Sequence, residues 1–240
     1  MPTDRPTGRR PAVTAPASAP ACAPTRRAPR PRPRADALRN RERIVTAARE
    51  MFVEYGSEAP LDEIARRAGI GNATLYRHFP DRYALVHDVV LSVMARVADC
   101  AERIAVEESA AEHPDPFAAL CRFVHIAADE RIGALCPMLS DAFDRDCPDL
   151  DAQRERLEGL VEGLMERARA AGRLRGDVAA GDLMMVLSQL TRQLPDTGCL
   201  NLDRFTHRHL QLFLDGLAAP ARSVLPGSAA TLEELRRAAP

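Results

Sequence analysis

Apolar residues recur at helical spacing along most of the chain, and no useful length of it alternates as a strand does. The first periodic segment covers 38–55. Ile44, Ala47, Ala48, Met51, Phe52 and Tyr55 form its stripe, and Gly56 stops it. Leu61, Ile64, Ala65 and Ala68 follow at i, i+3, i+4 and i+7, which is one face of a short second helix. The chain must turn at Gly69, where glycine reaches the left-handed conformation without a Cβ clash. Ile70 returns to the core. Leu75 and Phe79 then bury a third helix over 71–78, which crosses close to the small Ala65. Pro80 ends that helix, because proline disfavours the α region for the residue before it. Asp81 is placed to cap a fourth helix running to about 108 through Leu85, Val89, Val93, Val97, Cys100 and Ile104.

The rest of the chain reads as helix as well. HPDP at 113–116 opens a helix to about 130, another spans 134–145, and Cys147-Pro148 separates it from one over 149–171 that Gly172 stops. Two more, at 179–194 and 201–217, flank PDTG at 195–198, and TLEELRR near the end can form a turn of helix. The pair at 179–217 is apolar on more than one side, and such a helix needs two partners. One partner is its own core. The other is a second copy of the chain, meeting it through Leu183, Leu187, Leu190, Leu194, Phe205, Leu212, Phe213 and Leu217 in an isologous four-helix contact. The expectation is an all-α protein. A tail covers 1–34, a three-helix N-terminal domain 35–82, a larger C-terminal helical domain 83–218, and a loose end 219–240.

Two short helices joined at a glycine turn, with a third starting behind them, form the layout of a helix-turn-helix DNA reader. The 71–78 helix carries suitable chemistry. Asn72 can make a bidentate pair with adenine, while Ala73 and the Thr74 methyl can touch a thymine methyl. Tyr76 and His78 can reach phosphates or a base edge, and Arg82 is placed for a phosphate. A small helical core with a merely polar surface would share the spacing but would not need this set.

Residues 41–86, RERIVTAAREMFVEYGSEAPLDEIARRAGIGNATLYRHFPDRYALV, resemble the DNA-binding domain of the tetracycline-repressor (TetR) family over nearly the whole three-helix unit. The resemblance implies that 71–78, led in by Gly71, is a recognition helix. Asn72, Ala73 and Tyr76 would face bases, and Thr74, His78 and Arg82 phosphates. It also implies a homodimer on a pseudo-palindromic double-stranded DNA operator, a small-molecule effector, and a fourth helix that links reader to sensor. A two-fold dimer of this kind sets its recognition helices about 34 Å apart. The chain departs from many relatives at Pro60 and Leu61, where they carry Ser or Thr. Pro60 suits a first helical position but brings no hydroxyl for a phosphate, which leaves backbone N–H groups to serve.

Charge distribution adds to this picture. The net charge is −1, yet residues 1–34 hold eight arginines and one acid, while 91–240 hold 17 arginines and 24 acids. All the cations are arginine, and alanine is heavily used, as in a GC-rich bacterial genome. The Pro-, Ala- and Arg-rich tail lacks the apolar surface to fold and has no continuous apolar region of the signal-peptide kind. Arg30, Arg32, Arg34, Arg39 and Arg41 lead into the first helix and suit a phosphate-seeking arm. No run of 18 apolar residues exists, so no membrane contact and a cytoplasmic location are expected.

Catalytic and metal signals are thin. The cysteines at 22, 100, 121, 136, 147 and 199 include no CxxC pair, and no phosphate loop, nucleophile elbow or dinucleotide fingerprint occurs. Cys121 and His125 lie four apart and can share a ligand, but two ligands do not make a site. His207 and His209 fall on opposite sides of their helix, and Asp141, Asp144 and Asp146 read as solvated helix end. Neither cofactor nor catalysis is expected. A sensing pocket, mostly apolar with a few polar groups and hence suited to a lipophilic molecule, is expected among Phe117, Cys121, His125, Met138, Phe143, Leu164, Met184, Ser188 and Gln189. The reading is a dimeric, ligand-released repressor. An activator or ligand-tightened regulator of the same fold is the nearer alternative, and a helical scaffold or enzyme the remote one.

Overall fold

Helix α1 (Pro33–Tyr55) begins five residues earlier than the apolar pattern suggests. Proline needs no N–H partner in a first turn, so it starts a helix before the apolar stripe begins. The computed structural model describes residues 33–56, 58–131, 133, 147–192 and 203–237. The expected 134–145 helix, Met138, Phe143, Leu194 and residues 1–32 lie outside that set. Among the described residues the regular structure is helical, with one isolated bridge between Leu174 and Ala218.

Ile44, Ala47, Ala48, Met51 and Phe52 are buried as their spacing requires, but Tyr55 is 63% exposed. It sits in the last turn, where no further helix covers it. Helices α2 (Leu61–Arg67) and α3 (Asn72–His78) meet at Gly69, whose φ of 67° needs glycine. Ile70 N–H donates to the Ala65 carbonyl at 3.0 Å, closing the turn on the orphan end of α2. Pro60 is the residue just ahead of α2, with Leu61 the first helical residue, and no side chain caps that end. Asp81 caps α4 (Arg82–Ser109) by accepting from the Ala84 N–H at 2.8 Å.

Helix α4 is 28 residues long, about 42 Å. It runs from the reader into the second domain, where α5 (Pro116–Asp129) and α6 (Pro148–Ala170) pack on it and on each other. Val89, Val93, Val97, Ile104, Leu120, Phe123, Val124, Leu157 and Leu164 fill that three-helix core. Helices α7 (Ala180–Leu190) and α8 (Asp203–Leu217) complete the bundle. Residues 230–237 are tied down, with the Ala230 N–H donating to Asp182 at 3.1 Å. Short α9 (Leu232–Arg237) carries a reciprocal cap between Thr231 and Glu234 and packs on α7. Gly181 allows this close approach, because an added Cβ would lie 2.3 Å from the Ala230 carbonyl oxygen.

Candidate nucleic-acid interface

Three buried groups orient α3. Leu75 and Phe79 are each 1% exposed and share the core with Ala65, which is fully buried. The opposite side of the seven-residue helix therefore faces outward. Asn72, Ala73 and Tyr76 are exposed there, with Gly71 just ahead of them, and Thr74 and His78 are half-buried at its edges. Arg77 is exposed beside Tyr76. Sequence reasoning passed over it, although its i+4 spacing from Ala73 puts it on the same face.

The arginines of this domain do a different job from the one their charge suggests. Arg41 lies with its guanidinium 4.5 Å over the Phe79 ring. It donates to the His78 carbonyl at 3.3 Å and pairs with Asp88 of α4 at 2.6 Å. One side chain thus joins α1, the end of α3 and α4. Arg82 donates to the Ala59 carbonyl at 2.8 Å, tying the start of α4 to the approach to α2. Arg67 grips Glu54 with two bonds of 2.7 and 2.8 Å, and that hydrogen bonding holds the Glu54 carboxyl below the usual range. Arg39, expected in the arm, is paired with Asp36 on the exposed side of α1. Arg41 and Arg82, expected at phosphates, are thus engaged in positioning the reader. The reason is that each stands where two helices converge and a carbonyl or carboxylate is within reach.

Comparison with known proteins agrees with this arrangement. Residues 44–89 match the family "Bacterial regulatory proteins, tetR family", and 115–219 match "Transcriptional regulator SbtR-like, C-terminal domain". A solved TetR transcriptional regulator from Streptomyces coelicolor is 30% identical and superposes with a TM-score of 0.56 over 75% of this chain and 99% of its own. The chain belongs to the TetR family. A TetR regulatory protein from Mycobacterium vanbaalenii is likewise 30% identical, with a TM-score of 0.52 over 78% of this chain and 99% of its own. The HTH-type transcriptional repressor BepR of Brucella suis biovar 1 is 27% identical over 176 residues, 65% of this chain and 78% of that protein. This TetR-family chain is a DNA-binding transcriptional regulator, and its relatives are regulators rather than enzymes. No described helix is long and apolar enough to cross a membrane.

In this TetR-family protein the second domain is wired to the reader by charge. Glu130, just past the end of α5, accepts from Arg49 of α1 at 2.5 Å and from both Nε and Nη2 of Arg96 of α4 at 3.1 and 2.9 Å. A second junction lies at the start of α6. There Tyr83 Oη and Cys147 Sγ are 2.8 Å apart, and His87 lies 3.2 Å from Asp149, holding that carboxyl below its ordinary range. Both junctions join residues of the second domain to the α4 that carries the reader.

The described residues expected around a pocket differ in exposure. Phe117, Cys121, His125, Met184 and Ser188 are half-buried, Leu164 is core at 1% exposure, and Gln189 is exposed. Among the described residues a cavity of about 240 Å³ is lined by Ala128, Asp129, Arg131, Thr191, Thr206 and His207. Its lining is polar rather than apolar, because it opens at the ends of α5 and α7 where helices stop and polar residues gather. Its lining residues Asp129 and Arg131 flank Glu130 in the chain. Cys121 is a poor nucleophile here, since burial, aided by the carboxylates of Asp215 and Asp115, pushes its thiol up to about 11. At pH 8 the thiolate fraction falls about a hundredfold below that of an unperturbed cysteine. Iodoacetamide should therefore label Cys121 far more slowly than an unfolded control, read by mass spectrometry; equal rates would contradict the burial.

The expected interface leucines divide. Leu183, Leu187 and Leu217 are buried within the protomer at 2, 2 and 5% exposure, so no partner can reach them. Leu190 and Phe213 are half-buried. Phe205 and Leu212, seven apart on α8, are 46 and 59% exposed, and Met185 on α7 is 46% exposed. The apolar load of these helices is thus mostly spent on their own core, with a narrower strip left outward.

Proposed function

We propose that the protein is a homodimeric repressor that covers a pseudo-palindromic operator and releases it on binding a small molecule. The observation that carries this reading is the outward face of α3. Asn72, Ala73 and Tyr76 stand clear of the core while Leu75, Phe79 and Arg41 hold the helix from behind. Asn72 reads adenine, Ala73 meets a thymine methyl, and Tyr76, Thr74, His78 and Arg77 take the neighbouring base edges and phosphates. The exposed strip of Met185, Phe205 and Leu212 supports pairing of two copies through α7 and α8. The relative from Brucella suis is named a repressor, which favours repression over activation.

The effector proposed is small and carries polar groups, because the cavity beside Glu130 offers Thr191 and Thr206 hydroxyls with charged Asp129 and Arg131. Filling it would displace the end of α5 and, through Glu130 and Arg49, tilt α1 against its partner's reader. A coupling of about 1–3 kcal/mol would alter operator affinity roughly 5–150-fold. The test is direct. Duplexes spanning the DNA beside the gene are assayed for a protected inverted repeat, and the complex is weighed. Two chains on one repeat are expected; a single chain, or uniform binding to all duplexes, would overturn the reading.

The residues before α1 supply attraction without sequence preference. Removing residues 1–32 takes away seven arginines. Binding should weaken on operator and random DNA alike, and the slope of log affinity against log salt should shrink by about 0.9 for each phosphate that the arm had neutralised. Unchanged salt slopes would show that the arm does not touch DNA.

A further inference from the structure

Two histidines 82 residues apart in sequence come face to face between α5 and α8. His125 Nδ1 and His207 Nδ1 are 2.9 Å apart, with ring centroids at 5.1 Å. Their other nitrogens are both held. His207 Nε2 lies 2.9 Å from Asp129 Oδ1, and His125 Nε2 lies 3.1 Å from Gln211 Oε1. Gln211 donates from its own Nε2 to Asp215 at 2.8 Å, which sets the amide so that its oxygen faces His125.

This network dictates the tautomers. Each Nε2 faces an acceptor and must carry the ring hydrogen. Each neutral Nδ1 is then left with a bare lone pair, and the two lone pairs oppose each other at 2.9 Å. Two acceptors at that distance repel unless a positive centre joins them. We propose that this centre is a divalent transition-metal ion, ligated by Nδ1 of His125 and Nδ1 of His207.

The surroundings suit such an ion. A metal-binding imidazole ordinarily donates its second N–H to a carboxylate or carbonyl, which fixes the ring and strengthens the ligand. Asp129 and Gln211 stand in those positions. With metal–nitrogen bonds of about 2.0–2.1 Å, nitrogens 2.9 Å apart subtend about 90° at the ion. That is the angle between neighbouring ligands of a square or octahedral centre. The rings need only swing slightly to bring both lone pairs onto the ion, and His207, half-exposed, can pivot about its contact with Asp129. The cavity that His207 and Asp129 border leaves room for water to complete the shell. Imidazole ligands select the class: Zn(II), Ni(II) or Cu(II) rather than Mg(II) or Ca(II). Among the described residues no group of three His, Cys, Asp or Glu side chains converges on a metal position. The described residues thus supply two imidazoles, fewer than the four ligands of a closed structural zinc site. Bound there, the ion bolts α5 to α8 at the rim of the cavity. Such a site would exist whether or not the protein represses, so it does not rest on the repressor reading.

Equilibrium dialysis of untagged, chelator-stripped, full-length protein against Ni(II) or Zn(II) tests it. One ion per chain is expected. H125A and H207A should each weaken binding by about tenfold or more, and D129N by about 10–100-fold, since it loosens the ring that binds. H209A should leave binding unchanged, because His209 turns its Nδ1 to the Phe205 carbonyl. A second reading needs no variant: Co(II) added to the wild-type protein should selectively broaden the ring resonances of His125 and His207. The proposal is overturned if no stoichiometric uptake occurs, in which case the rings share only a proton. It is equally overturned if uptake survives in the H125A/H207A double variant.

Discussion

Replacing Asn72 and Tyr76 together by alanine should lower operator affinity by about a hundredfold or more, while leaving the fold and the oligomeric state as they are. A good bidentate base contact contributes about 1–3 kcal/mol of discrimination, and a dimer carries each residue twice. Both side chains are exposed, so neither contributes to the core, and surface changes of this kind move stability by about 0.5 kcal/mol or less. The residual binding should be the non-specific, salt-dependent part. Fluorescence anisotropy on the operator and on a scrambled duplex separates the two. The scrambled duplex should bind nearly as before. If the operator affinity changes by less than about threefold, the outward face of α3 is not what reads the bases.

Phe79→Ala should destabilise the reader by about 3–5 kcal/mol, the range for truncating a fully buried phenylalanine. Phe79 is 1% exposed, and its ring is the surface on which Arg41 of α1 lies. Removing it leaves a cavity and frees the guanidinium from one of its three attachments. The end of α3 then loses its anchor, because the remaining Arg41 bond to the His78 carbonyl is 3.3 Å long. For a chain of this size the loss corresponds to a fall in melting temperature of roughly 6–20 °C. Circular dichroism should show it as an earlier loss of the helical signal as a whole. Phe79→Leu should recover most of the loss, since it refills most of the volume. A melting temperature within about 2 °C of wild type would mean that Phe79 is not structural, and that Arg41 is positioned by Asp88 and the His78 carbonyl.

Much of this protein was legible in its chain. Gly69 marks the turn because only glycine takes φ of 67° there at little cost, and Asp81 marks a helix start because its short carboxylate reaches back to an N–H. The buried stripe of Ile44, Ala47, Ala48, Met51 and Phe52 follows from spacing alone. The outward set of Asn72, Ala73 and Tyr76 follows once Leu75 and Phe79 are placed inward. These are local properties, settled within a turn or two of helix.

What the chain could not display is what lies opposite each face. Leu183, Leu187 and Phe205 read alike as apolar residues on two-sided helices. Only packing shows that the first two are spent inside the protomer and the third points out. Arg41 and Arg82 read as phosphate ligands because their charge is visible and their partners, Asp88, Phe79 and the carbonyls of Ala59 and His78, belong to other helices. His125 was paired in sequence with Cys121, one turn away, yet its partner in space is His207. Periodicity reports which side of a helix is apolar. It cannot report which helix arrives there, because that depends on the joint packing of α4, α5, α6 and α8 across more than a hundred residues. The sequence by itself determined most of the described helices and the outward set of Asn72, Ala73 and Tyr76. The tertiary structure alone decided which arginines are tied up in holding the reader, where the cavity opens and which histidines meet.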